Sequence, residues 1–100
     1  MEYGLDIADI AKIKAVFVRW PSVERVILFG SRAMGNYKSG SDIDFAIAGN
    51  TISFNDILDI HEQLDALGML YQFDVQDMAS IKDIEVLQHI DRVGKLFFSH

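Results

Sequence analysis

Gly30-Ser31, a gap of ten residues, and then Asp42-Ile43-Asp44 bring together the residue types that phosphate and divalent-metal chemistry requires. Glycine has no Cβ, so the backbone at Gly30 can pass close to a ligand. Ser31 would open a turn of helix, where free N–H groups favour an anion and its hydroxyl offers one more donor. Asp42 and Asp44 stand at i and i+2, which on a strand places both carboxylates on one side, about 6.5–7 Å apart along the chain. Two such acids repel each other unless a cation lies between them. Mg²⁺ accepts one or two carboxylates together with phosphate oxygens, so the pair suits a metal shared by protein and nucleotide.

A third carboxylate would let the site hold two ions roughly 3.5–4 Å apart, one activating an acceptor oxygen and one stabilising a leaving group. Asp74 is the preferred candidate, because Tyr71-Gln72-Phe73-Asp74-Val75 is an apolar strand context in which an unpaired acid is costly. Asp77 is the alternative, expected just past that strand as a turn or cap residue. Arg32 and Lys38 flank the loop and could reach phosphates, Arg32 with its fork of donors; a solvated surface cation is the other reading of each. His61, His89 and His100 have no spacing that suggests a site and are expected at the core edge or surface. Met34, Met69, Met78, Phe29, Phe45, Phe54 and Phe73 read as core packing.

These residues need elements to hold them. Asp6 to Trp20 carries apolar residues near a helical period, with Asp6 as N-cap, and Pro21 ends it. Val23 to Phe29 is short, β-branched and apolar, and reads as a buried strand. Ser31 to Tyr37 is long enough for about two helical turns, closed by Gly35 or Asn36, and Lys38-Ser39-Gly40-Ser41 is a loop. Asp42 to Ala48 is a second strand. Ser53-Phe54-Asn55-Asp56 resembles a capping box and opens a helix with Ile57, Leu58, Ile60, Leu64 and Leu67 on its apolar side, ended by Gly68. Leu70 to Val75 is a third strand, Ser80 to Arg92 a helix stopped by Gly94, and Lys95 to Ser99 reads as a short final strand that could stand at an edge. Strands alternating with helices indicate an α/β (α+β) layer fold. The first connection is marginal for a parallel crossover, so a mixed sheet with an antiparallel first pair is expected.

Composition narrows the function classes. One hundred residues suit a single domain, 1–100. The formal charge of −6 argues against general nucleic-acid binding, which needs a basic patch. No apolar run reaches the roughly 18–20 residues of a membrane span, and the first residues lack the pattern of a secretory signal. Cysteine is absent, which removes disulfides and thiolate metal sites and makes a cytoplasmic location the simplest.

Phe29-Gly30-Ser31-Arg32-Ala33 and Ser41-Asp42-Ile43-Asp44 resemble the signature of the nucleotidyltransferase superfamily that includes DNA polymerase beta, most of all its minimal bacterial and archaeal branch. The resemblance implies a nucleotidyltransferase fold, a small mixed sheet flanked by helices. It implies Mg²⁺, as two ions, on Asp42, Asp44 and a third acid matching Asp74, and the triphosphate of ATP on Gly30 and Ser31, with Arg32 beside them. The reaction would be attack of an acceptor hydroxyl on the α-phosphorus, with pyrophosphate leaving. Minimal members often act with an all-helical HEPN-type partner in pairs that resemble toxin–antitoxin systems, and some adenylylate a tyrosine of that partner. The short ending Phe97-Phe98-Ser99-His100 leaves no room for the acceptor-binding domain of larger relatives, so a hetero-oligomer with the acceptor on another chain is expected. The alternatives are a nucleotide-binding antitoxin that acts by occlusion, and a catalytic domain of the aminoglycoside-modifying type.

Overall fold

Alternation of apolar residues on two central strands decides the layering of the chain. The computed structural model describes residues 1–100. Its elements run α1 (Ile7–Val18), β1 (Arg25–Phe29), α2 (Gly30–Met34), β2 (Ile43–Ala48), α3 (Phe54–Asp65), β3 (Phe73–Asp77), a 3-10 turn (Met78–Ser80), α4 (Ile84–Val93) and β4 (Lys95–Ser99). The sheet order is β3-β2-β1-β4. β1 pairs antiparallel with β2 and with β4, whereas β2 and β3 are parallel. The expected mixed sheet with an antiparallel first pair is therefore present, and β4 is an edge strand.

One face of the sheet carries the main core. Val26, Leu28, Ile43, Phe45, Ile47, Phe73 and Phe97 meet Ile10, Ile13, Val16 and Phe17 of α1 and Ile60 and Leu64 of α3. Phe17 stands edge-on to Phe45 at 5.3 Å between ring centres, the arrangement that aromatic quadrupoles favour. The other face is covered more thinly. Phe29 and Ala46 pack with Ile90 of α4, and Ile27, Met78, Ile81 and Val86 lie around them. That cover stops short of one end of the sheet, where the acids stand.

Element boundaries differ from the sequence expectations in instructive places. β3 spans Phe73–Asp77 rather than Leu70 to Val75, because register with Ile43–Ile47 of β2 fixes it. Asp77 is thus the last strand residue, and its carboxylate caps the 3-10 turn through Ala79 N–H and Ser80 Oγ. The last helix begins after Asp83, whose side chain accepts from Glu85 N–H, not at Ser80. The capping box at Ser53 and Asp56 has both reciprocal hydrogen bonds, at 3.0 Å each. Asp6 precedes α1 but makes no side-chain cap, and α3 closes at Ala66, with Gly68 just beyond in a left-handed conformation. Phe54 and Met34 are not core residues. They are 75% and 48% exposed, Phe54 because it starts its helix ahead of the sheet-facing stripe of Ile60 and Leu64.

Candidate active site

Strand register, not chain proximity, assembles the site. Asp44 lies opposite Phe29 of β1 and beside Asp74 of β3, so the three form one row across the open end of the thinly covered face. Asp42 stands two residues before Asp44, just ahead of the strand. Asp42 and Asp74 are exposed, while Asp44 is half-buried. Burial pushes the Asp44 carboxyl above its ordinary value; the charges of Asp74 and then Asp42 push it further, and His89 partly offsets them. The register therefore sets Asp44 and Asp74 side by side on β2 and β3, with Asp42 two residues ahead of Asp44, and Asp77 sits beside Ile47 at the other end of β3.

Gly30 closes the site from the side of β1. Its φ of +73° is the left-handed region that favours glycine, and an added Cβ would collide with Asp44 Oδ2. The backbone thus turns directly over the carboxylate, a close approach that the missing Cβ permits. Ser31 follows in α2, a short helix ended by Gly35 in a left-handed conformation. The N–H of Gly30 donates to Nε2 of His89 at 3.1 Å, and the imidazole stands edge-on to Phe29 at 6.2 Å.

His89 is the residue that sequence reasoning missed. Its one signal is weak: it lies three residues after Val86 and beside Ile90 on the sheet-facing stripe of α4. Nothing in its local spacing says that this side of α4 meets the Gly30 turn.

Arg32 is not brought to the acids. It is only 2% exposed and is the one buried charged residue. Its Nε and Nη2 donate to the carbonyl of Ser41 at 3.1 and 2.9 Å, Nη1 to that of Tyr3 at 2.8 Å, and Nη2 also reaches that of Ser39. The rings of Tyr37 and Tyr71 lie 5.2 and 4.7 Å from the guanidinium carbon. Four of the five guanidinium N–H donors are committed to carbonyls, and the buried group is turned to the loop rather than to a phosphate. Its work is to fix the loop that ends at Asp42. Lys38 stays exposed on that loop.

The donor chemistry of the acids fits Mg²⁺. No three His, Cys, Asp or Glu side chains already close around a common point, and one oxygen of Asp74 accepts from Gln76 Nε2 at 3.2 Å. Mg²⁺ is ordinarily held by one or two carboxylates with substrate phosphates completing its shell, so an open set of acids beside a Cβ-free turn is what it needs.

The family model described as polymerase beta, nucleotidyltransferase matches residues 11–100. The chain belongs to that family. The matched region contains Gly30, Ser31, Asp42, Asp44, Asp74 and His89. No curated protein matches the chain. Among solved structures, a chain of a toxin–antitoxin complex with AMP-PNP is similar at a TM-score of 0.72 and 24% identity, over 96% of this chain and 75% of that one. A chain from the tri-AMPylated Shewanella oneidensis HEPN toxin in complex with MNT antitoxin is similar at 0.68 and 22%, over 93% and 71%. A third, from the MntA–HepT toxin–antitoxin, is similar at 0.69 and 21%, over 95% and 74%. These likenesses establish the nucleotidyltransferase fold that this sheet and its helices share with minimal nucleotidyltransferases. No helix of this family member is long and apolar enough to cross a membrane.

Proposed function

We propose that this chain transfers a nucleotide, AMP from ATP, to a hydroxyl of a helical partner protein of the HEPN type, as the antitoxin of a toxin–antitoxin pair in the cytoplasm. The observation that carries the reading is the row of Asp44 and Asp74 with Asp42 ahead of it, closed by the Cβ-free turn at Gly30. Asp42, Asp44 and Asp74 would hold Mg²⁺, which would neutralise phosphate charge as it develops. Gly30 and Ser31 would present backbone N–H groups, and Ser31 its hydroxyl, to the triphosphate. The acceptor oxygen would bond to the α-phosphorus as the bond to pyrophosphate breaks. The Shewanella neighbour, with an AMPylated HEPN toxin beside an MNT antitoxin, supports the choice of acceptor.

The test is incubation of the chain with a HEPN-type helical protein, ATP and Mg²⁺, followed by intact-mass measurement. The partner should gain one or more AMP units. Asp44→Asn should lower the rate by about a hundredfold or more, the scale of losing a preorganised charge contact in the transition state. Equal product from wild type and Asp44→Asn would refute this assignment of the site.

A binding-only role has one observation in its favour: Gly30 N–H is already engaged by His89. On that reading the Asp42→Asn/Asp44→Asn double variant neutralises the toxin as well as wild type does.

A further inference from the structure

His89 holds the Gly30 amide. We infer that its imidazole is a built-in competitor for the triphosphate: it occupies Gly30 N–H in the free protein and must give way when nucleotide binds. The inference rests on the proposed placing of phosphate at Gly30. Gly30 N–H donates to Nε2, so that nitrogen carries a lone pair and the ring proton sits on Nδ1. The contact joins residues 59 apart in sequence, and it is made by a side chain in the middle of α4 rather than by the turn itself. One backbone N–H has one proton to donate. A phosphate oxygen and the imidazole therefore exclude each other at this amide.

The ring is held for this task from one side. It packs edge-on against Phe29, the residue just before Gly30, and its helix is anchored next door by Ile90. Yet His89 is only partly buried, so the imidazole can rotate outward without opening the core. The consequence is a nucleotide affinity set below what the turn and acids would give alone. The link also ties α4 to the state of the site, since a bound triphosphate releases His89 of that helix from Gly30.

Binding of Mg·ATP, measured by calorimetry on the full chain, tests this. His89→Ala frees the amide and should lower Kd by about two- to tenfold, the worth of one net hydrogen bond. His89→Gln restores an acceptor of similar reach and should return Kd towards the wild-type value. An unchanged or raised Kd for His89→Ala, in a variant whose circular dichroism matches wild type, overturns the inference. A second readout needs no variant: ¹⁵N spectra of wild type should show His89 with its proton on Nδ1, and Mg·ATP should shift both the Nε2 and Gly30 amide signals. Signals that stay put while ATP binds would also overturn it. Asp42→Asn separates the two levels of the argument. If it weakens Mg·ATP binding but His89→Ala does not tighten it, only the competitor falls; if neither changes affinity, the site reading falls with it.

Discussion

Asp44 is the residue on which charge, burial and register converge. Its carboxyl is raised first by burial and then by Asp74 and Asp42, so the folded protein holds this proton more tightly than the unfolded chain does. The contribution of Asp44 therefore favours folding in acid and is lost as pH rises from the unfolded carboxylate range through the raised folded value. Asp44→Asn removes that penalty. In EDTA at neutral pH, the variant should resist urea better than wild type, with the gap closing below about pH 4. Urea midpoints across a pH series measure this directly, and a gap that widens in acid would refute it. Adding Mg²⁺ and ATP should raise the Tm of wild type and leave that of Asp44→Asn nearly unmoved. Gly30 answers to sterics instead. Gly30→Ala must move Asp44 or abandon φ +73°, and should cost about 1–3 kcal/mol of stability by denaturant titration.

Among the elements, the loop between α2 and β2 depends on a buried cation rather than on turn residues alone. Arg32 ties the carbonyls of Tyr3, Ser39 and Ser41 together, and no buried side-chain nitrogen or oxygen is left without a partner. Arg32→Ala should cost at least about 2 kcal/mol, since hydrogen bonds to charged groups are worth about 1.5–3 kcal/mol each. Arg32→Lys should recover little of it, because an ammonium lacks the planar fork and the stacking on Tyr37 and Tyr71. Amide exchange at Ser41 and Asp42 should quicken in both variants. The sequence announced the cation beside the loop but not its direction. Surface, phosphate and interior are equally open to a long side chain until Tyr3 and Tyr71, far apart in the chain, are seen to meet it.

Across the whole molecule, the two faces of the sheet divide stability from function. The main core joins 15 buried residues, whereas the α4 side has three. Phe45→Ala, at the centre of the first, should cost about 3–5 kcal/mol. Ile90→Ala should cost about 2 kcal/mol, the low end for such a truncation, but act on the site. With α4 loosened, the Gly30 amide should lose exchange protection while amides of β1 and β2 facing the main core keep theirs. Hydrogen-exchange NMR on the two variants decides this. Equal loss of protection at Gly30 in both would show that α4 and the main core move as one unit.

The presence of the strands and the antiparallel first pair were legible because they are local: β-branched apolar runs mark a strand, and a short connection disfavours a parallel crossover. The capping box at Ser53 was legible for the same reason. Asp74 could be named but not placed, since only the parallel register Asp44–Asp74 puts it in the row. His89 and Arg32 were settled by tertiary structure alone. Each is defined by a partner distant in the chain, the Gly30 amide for one and the Tyr3 carbonyl for the other. No periodicity encodes a contact between a side chain of one helix and a turn 59 residues earlier.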